Sequence, residues 1–364
     1  MNDQLENRLL SLDFFRGFTM FLLIAEWTVL FDAMVRPELE GSLIYLIGEQ
    51  LHHHPWNGFR FWDLIQPFFM VIVGVAIPYS VKNRTLRGDN YVDIRIHAIK
   101  RSLILFVLGW ALYCIGPGQI KFNFQNVLAQ LGVTYIIAFL LMKRTWKTQF
   151  IISICILIVV EIIYRAFPIA GFDQPFTPGH NFGAWFDMLI AGELSGGHWV
   201  SFNAFPTTAH TMWGVIIGQF LMSDKSKIKK FKTLIIVGLV GIVAGLILGN
   251  ITPIIKRIST SSFVIYSGGW TVFALAISYW VIDIMKIHKW TRFLIILGMN
   301  PLFIYIFAHV GGADLIHSIV NPFSTALFCW MGVVTSDIIT GFIVWFCLWY
   351  ITYWMYKRKI FIRI

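Results

Sequence analysis

Charge is what this sequence has least of. Asp, Glu, Lys and Arg make up 13% of its 364 residues and hydrophobic residues 57%, against about 25% charged in soluble domains. So little polar surface cannot coat a soluble globule, which excludes that class. Alternating ten-residue strands are missing too, which excludes an outer-membrane barrel. Cysteine is scarce. Cys114, Cys155, Cys329 and Cys347 are widely separated, lie in or beside apolar runs and form no C-x-x-C pair. They read as small buried or lipid-facing residues rather than a disulfide framework or zinc site, and no metal is expected. There is no low-complexity tract, no convincing internal repeat and no separate soluble domain, so 1–364 reads as a single integral membrane domain. No cleavable signal is expected, because MNDQLENRLLSLDFFRG is polar and runs straight into an apolar stretch too long for a signal core.

What is abundant is apolar length. Mean hydropathy is +0.70, and apolar runs of about 20 residues recur from end to end, the length that crosses the hydrocarbon layer as a helix. A helical bundle satisfies every backbone group in lipid. The expected fold is therefore all-α, a polytopic bundle of about ten transmembrane helices. The spans fall near 17–35, 61–82, 100–117, 124–142, 148–168, 204–222, 233–250, 263–284, 291–309 and 334–356. Segment 315–331, broken by Asn321-Pro322, reads as a re-entrant or interfacial piece; if it spans, the number becomes eleven.

Ten spans with the N-terminus inside place 23 of the 29 Lys and Arg residues on the cytoplasmic side, from Arg8 to Arg363. That alternation is what the positive-inside rule requires. It gives an inner-membrane protein with both termini cytoplasmic. It also accounts for the net charge of +10 without a nucleic-acid partner. The outer segments carry most of the histidines. They include the longest extramembrane stretch, 169–203, rich in Gly, Pro, aromatics and carboxylates including Asp187. This loop, without obvious helices, suits a folded cap that contacts a polar ligand.

The densest chemical cluster is His52-His53-His54-Pro55-Trp56-Asn57-Gly58, followed by Asp63 at the head of the second span. Histidine moves protons near neutral pH and can act as base or take an acyl group. Asp63 could orient an imidazole, and Asn57 could donate to an oxyanion. A solvated loop is the plain alternative for three adjacent histidines. A metal site is disfavoured because neighbours in an extended loop point apart. Glu26, Gln66, Gln125, Asn126, Gln130, Glu161 and Asn300 are further polar residues at membrane level, and Pro67, Pro78 and Pro301 interrupt helical bonding there. A polar path through the bundle would explain the set; helix–helix hydrogen bonding is the alternative for any one of them.

These residues resemble a known family. Ser11-Leu12-Asp13-Phe14-Phe15-Arg16-Gly17 fits an S-x-D-x-x-R-G opening, His53 to Gly58 fits H-x-x-W-N-G, and Asp63-Leu64-Ile65-Gln66-Pro67-Phe68-Phe69 fits D-L-x-x-P-x-F. Val127 to Tyr135 is similar to V-L-Q-R-L-G-V-T-Y. Phe205 to Ala209, Pro253 to Arg257, Thr260 to Val264 and Gly298-Met299-Asn300 extend the likeness in the same order. Together they resemble the heparan-α-glucosaminide N-acetyltransferase family, including its bacterial members linked to amino-sugar use.

The resemblance implies transfer of an acetyl group from cytosolic acetyl-CoA to the amine of a glucosamine-type sugar or oligosaccharide on the far side. It assigns the active histidine to His53, as base or acyl carrier; Asp63 as its orienting partner and Asn57 as a polar support are the reading of the residues themselves. Arg16, Asp13, Gln130 and Asn300 are then expected at the acyl-CoA site, and His54, Trp56, Glu26 and Asp187 at the sugar site. The sequence departs from the pattern in three places. Glu26-Trp27 stands where the family usually shows Asn, Ala129-Gln130 replaces Gln-Arg, and Ser201 to Ala204 replaces D-P-E-G. Two rival functions are an O-acyltransferase of a surface glycan and an amino-sugar transporter. Lack of visible inverted repeats weighs against the transporter. The lipid bilayer is the expected surrounding, and a homodimer is the oligomer considered.

Overall fold

A computed structural model describes residues 9–287 and 289–362. Arg8 and Arg363 of the basic pattern, and the first eight residues of the segment read as no signal, lie outside the described residues. Among the described residues the chain is all-α. The helices are α1 Leu10–Glu26, α2 Leu30–Met34, α3 Leu43–Gln50, α4 Ile65–Leu86, α5 Tyr91–Ile115, α6 Val127–Leu141, α7 Trp146–Ala166 and α8 Phe182–Ala191. They continue as α9 Ala204–Leu221, α10 Lys227–Leu248, α11 Ser261–Tyr279, α12 Thr291–Met299, α13 Pro301–Phe307, α14 Ala313–Phe328 and α15 Val333–Lys357. Asx and hydroxyl caps start several of them. Asn90, Asn126, Thr145, Asn181 and Ser226 each accept a backbone N–H of the first turn with a side-chain oxygen, which satisfies donors the helix itself leaves open.

Seven helical runs among the described residues are long and apolar enough to cross a membrane: Phe61–Leu86, Tyr91–Ile115, Trp146–Ala166, Lys227–Leu248, Ser261–Ile284, Pro301–Met331 and Val333–Lys357. The other expected spans fall on shorter or more polar helices. The span expected at 17–35 is α1 followed by a break and α2, so Asp13 and Arg16 stand on the helix rather than ahead of it. The span at 124–142 is α6, that at 204–222 is α9, and that at 291–309 is divided at Asn300 between α12 and the beginning of the run Pro301–Met331. The low hydropathy of α9 has a physical reason. Thr207, Thr208, His210 and Thr211 are all fully buried within protein, so this helix shows polar groups to its neighbours rather than to lipid.

Segment 315–331, expected as a re-entrant or interfacial piece, is helical and belongs to the run Pro301–Met331, which is long and apolar enough to cross. Pro322 lies inside α14. The run from Pro301 is interrupted instead at Ala308–Gly312, where Gly311 has φ +97°. Loop 169–203 also differs from expectation, because it contains α8 and two single turns at Gly196–His198 and Ser201–Asn203.

The chain divides into two compact units. The first takes the described residues up to His53, Arg60–Ile65 and those from Ile277 onward. Its helices approach closely: a Cβ on Gly17 of α1 would lie 1.9 Å from the Leu294 carbonyl oxygen of α12. The second takes His54–Phe59 and Gln66–Ala276. There α4 and α9 touch backbone to backbone, since Cβ atoms on Gly74 and Gly214 would lie 2.1 Å from the Thr211 oxygen and 2.4 Å from the Val71 oxygen. Small residues at crossings are how helices associate where lipid offers no hydrophobic drive.

Candidate active site

In the first unit, the chain leaves α3 through Leu51 and His52 and reaches His53. It returns at Arg60 into a 3-10 turn, Phe61–Leu64, that leads into α4. Asp63 sits in that turn and is fully buried. One carboxylate oxygen, Oδ2, accepts the Arg60 backbone N–H at 2.9 Å. The other, Oδ1, lies 3.0 Å from Nδ1 of His53. The His53 side chain keeps 28% of its exposure, so the pair has a buried end and an accessible end.

Two ties hold this turn against the end of α3. Arg60 donates to Glu49 at 3.0 Å, and the Phe61 backbone N–H donates to Gln50 at 3.2 Å. A third contact fixes the neighbour of Asp63: the buried Trp62 indole donates to Glu26 at 3.1 Å and meets Phe31 edge to face. Glu26, expected at the sugar site, is exposed and accepts this indole proton at the end of α1.

The three histidines diverge. His52 uses Nδ1 on the Gly48 carbonyl of α3 at 2.8 Å, and its Nε2 lies 3.3 Å from Asp32. His53 takes Asp63. His54 belongs to the second unit, where its ring lies over Gly58. A Cβ there would come 2.4 Å from the His54 Nε2, and φ is +150°, so only glycine fits. The same segment is clipped to residues 254–255: Gly58 donates its N–H to the Ile254 carbonyl at 2.9 Å, and Asn57 pairs with Ile255 in an antiparallel bridge. Asn57 is exposed. The Trp56 indole donates to the Phe176 carbonyl at 2.7 Å.

Also in the second unit, Asp187 of α8 is buried. Gln125 Nε2 donates to it at 2.9 Å, and the Ser201 backbone N–H reaches both its oxygens. Burial pushes the Asp187 carboxyl above its ordinary value, and the bonds from Gln125 and Ser201 oppose that. The network continues inward. Gln130 donates to the Gln125 carbonyl at 3.0 Å and accepts from Gln66. Gln130 and Asp187, expected at opposite sites, thus belong to one buried chain of amides. Glu161 is likewise used by the fold, accepting from Thr252 and Ser261 at 2.6 and 2.7 Å and pairing with Arg165.

Of the remaining acyl-CoA candidates, Arg16 and Asp13 pair at 3.4 Å across one turn of α1, both partly exposed. Asn300 is fully buried, and both ends of its amide hold backbone: it donates to the Ile360 carbonyl and accepts the Ile362 N–H, each at 2.9 Å. Sequence reasoning missed Arg60 and Glu49 as the clamp on the Asp63 turn. The N–H of Arg60 and the carboxyl three residues on in Asp63 are a capping arrangement that the spacing could have suggested. It also missed α8, although Asn181 before the apolar run and Gly192 after it are start and stop signals.

A carboxylate fixed by a backbone N–H and facing an imidazole sets the tautomer of that ring. Nδ1 carries the proton toward Asp63, and Nε2 becomes the nitrogen that can take one. Such a pair can deprotonate an amine or hydroxyl or accept an acyl group.

No family model matches the chain. The chain is similar to the heparan-alpha-glucosaminide N-acetyltransferase of Mus musculus, 30% identical over 146 residues, which cover 39% of this chain and 20% of that protein. It is similar to the Homo sapiens protein of the same name, 30% identical over 135 residues, 36% of this chain and 18% of that one. The chain thus spans about a fifth of the length of the curated relatives it matches. The family likeness read from the sequence is therefore supported by two curated relatives that bear that name.

Proposed function

We propose that this chain is a transmembrane acyltransferase that moves an acetyl group from acetyl-CoA to the amine of a glucosamine-type sugar. The observation that carries the reading is the 3.0 Å pairing of a partly exposed His53 with a fully buried Asp63. Lipid-level carboxylates are costly and mark function by default, and this one orients an imidazole. The similarity to two N-acetyltransferases supports the same reading.

In the proposed reaction the amine nitrogen attacks the thioester carbonyl carbon. A C–N bond forms, the C–S bond breaks, and CoA leaves as the thiolate. His53 Nε2 takes the proton the amine loses and returns it to sulfur, so the products are the amide and CoA thiol. Asp63 keeps the ring in the basic tautomer and stabilises the transient imidazolium. Gln130 and Asn300 have their amides engaged by the chain, so the phosphates of the donor fall to Arg16, whose guanidinium suits them. The donor is taken from the cytoplasmic side and the sugar from the periplasmic side of a bacterial inner membrane, the sidedness that the basic connectors support.

The test is a sided assay in proteoliposomes with labelled acetyl-CoA in one compartment and glucosamine in the other. Labelled N-acetylglucosamine should appear only when the donor faces the side of the basic connectors. Label recovered as a base-labile ester would replace N-transfer with O-acyl transfer. Glucosamine uptake without acetyl-CoA would replace both with transport.

A further inference from the structure

Arg101 of the second unit stands inside the helical run Tyr91–Ile115. That run is 25 residues long, about 37 Å at the helical rise, against a hydrocarbon layer of about 30 Å. Its first end is basic. Lys82, Arg84, Arg87, Arg95, Lys100 and Arg101 fall between positions 82 and 101, against Asp89 and Asp93. These cations put that end among the headgroups, with the Arg101 backbone below it by a few turns. A helical side chain leans toward the N-terminus of its helix, so Arg101 is directed back toward the polar level.

Among the described residues the Arg101 guanidinium makes no ion pair and no hydrogen bond. Its Cζ lies 5.1 Å from the centre of the Tyr135 ring of α6, a buried residue. Its Nε is shut away without a partner, which leaves the two terminal nitrogens as the ones that can reach an anion. The carboxylates of this segment are placed elsewhere. Asp89 takes Arg84 at 3.0 Å, and Asp93 stands in the first turn of α5, about 12 Å back along the axis. His97, one turn before Arg101 on the same face, feels Arg84, Arg101 and Lys100, with Asp89 opposing them. A cation held at membrane level without a counter-ion is costly and marks a site by default.

The same face of α5 continues as Ile104, 44% exposed, and the half-buried Leu108. A polar anchor and an apolar stripe therefore run in one line. We propose that Arg101 and His97 form the headgroup site of an anionic phospholipid. The phosphate accepts from the terminal nitrogens of Arg101 and from an N–H of His97, and an acyl chain lies along Ile104 and Leu108. The guanidinium fork matches two phosphate oxygens, and an imidazole offers an N–H in either protonation state. Arg84 and Lys100 repel the cationic group of a zwitterionic lipid, which selects for net negative charge. A soluble phosphate ester would gain the charge contacts and leave the apolar stripe unused. This site does not depend on the acetyl-transfer reading.

The test is native mass spectrometry of the full chain released from nanodiscs of phosphatidylglycerol and phosphatidylcholine in equal parts, counting the lipids each protein retains. The wild type should keep phosphatidylglycerol in preference to phosphatidylcholine. Arg101→Gln should lower that preference about tenfold, the loss of one charged hydrogen bond. His97→Ala, the second variant at the site, should lose a smaller part of it. Arg95→Gln removes the same charge from an exposed position of α5 and should change it least. Thermal unfolding in phosphatidylcholine checks the folding of each variant, and the wild-type preference is read without any variant. Glycerol 3-phosphate and CoA, added in turn, should leave the retained lipid in place. No preference in the wild type would overturn the site, as would a loss in Arg95→Gln equal to that in the folded site variants. Displacement by glycerol 3-phosphate or CoA would replace the lipid with a soluble phosphate.

Discussion

Asp63 and Asp187 are both buried, at 0% and 2% exposure, and both accept a backbone N–H, yet their second partners differ. Asp63 faces an imidazole that remains partly exposed. Asp187 faces the amide of Gln125, which is itself bonded onward to backbone. An imidazole can change its protonation state and an amide cannot. The first carboxylate therefore holds a group that can do chemistry, and the second holds a segment in place. Burial of an acidic residue, taken alone, does not distinguish the two; the partner does.

If that contrast is right, the charge of Asp63 matters far more to turnover than the charge of Asp187. Asp63→Asn should lower acetyl transfer by about 10²–10⁴-fold, the span of general base catalysis. With the amide oxygen kept on the Arg60 N–H, its NH₂ faces His53 Nδ1 and forces the proton to Nε2. Asp187→Asn should leave kcat within about threefold, a change worth under 1 kcal/mol of barrier. Equal losses in the two variants, measured by single-turnover transfer, would erase the comparison.

Stability should show the opposite order. Asp187→Ala strips acceptors from Gln125 and the Ser201 N–H, and leaving buried donors unpaired costs about 1–3 kcal/mol each. Thermal unfolding followed by tryptophan fluorescence should register a clear drop. A Tm equal to wild type would show that α8 is held by its apolar face alone.

The smallest effect is in pH. Burial raises the Asp187 carboxyl, so the folded protein keeps a proton there that the unfolded chain has already released. Stability from this group is then highest at low pH and falls as pH rises through a window opening near the usual value of 3.8. Asp187→Asn removes that fall, so its Tm should gain on the wild type as pH is raised from 4. Parallel Tm curves for the two proteins would contradict the assignment.

Most of the spans and the closeness of His53 to Asp63 were legible because apolar length and an acid beside a histidine cluster are local signals. The rest depended on partners distant in sequence. Gln130 stands out in an apolar run, but nothing local says that Gln66 and Gln125 use both ends of its amide. Asn300 beside Pro301 looks like an interrupted helix with a ligand group, whereas its amide ties down residues 360–362. Asn321-Pro322 reads as a break, but the helix continues through it and Ser324 bonds Thr340 of α15 at 2.6 Å. The interruption is at Gly311 instead, where a positive φ is readily adopted.

The central claim is that His53, set by Asp63, performs acetyl transfer. The direct measurement is the rate of labelled N-acetylglucosamine formation from labelled acetyl-CoA by purified wild type and His53→Ala, with unfolding temperatures recorded for both. Transfer by the wild type is expected, with a loss of at least about 10²-fold in the variant and matching unfolding temperatures. Wild-type turnover in a folded His53→Ala protein would contradict it.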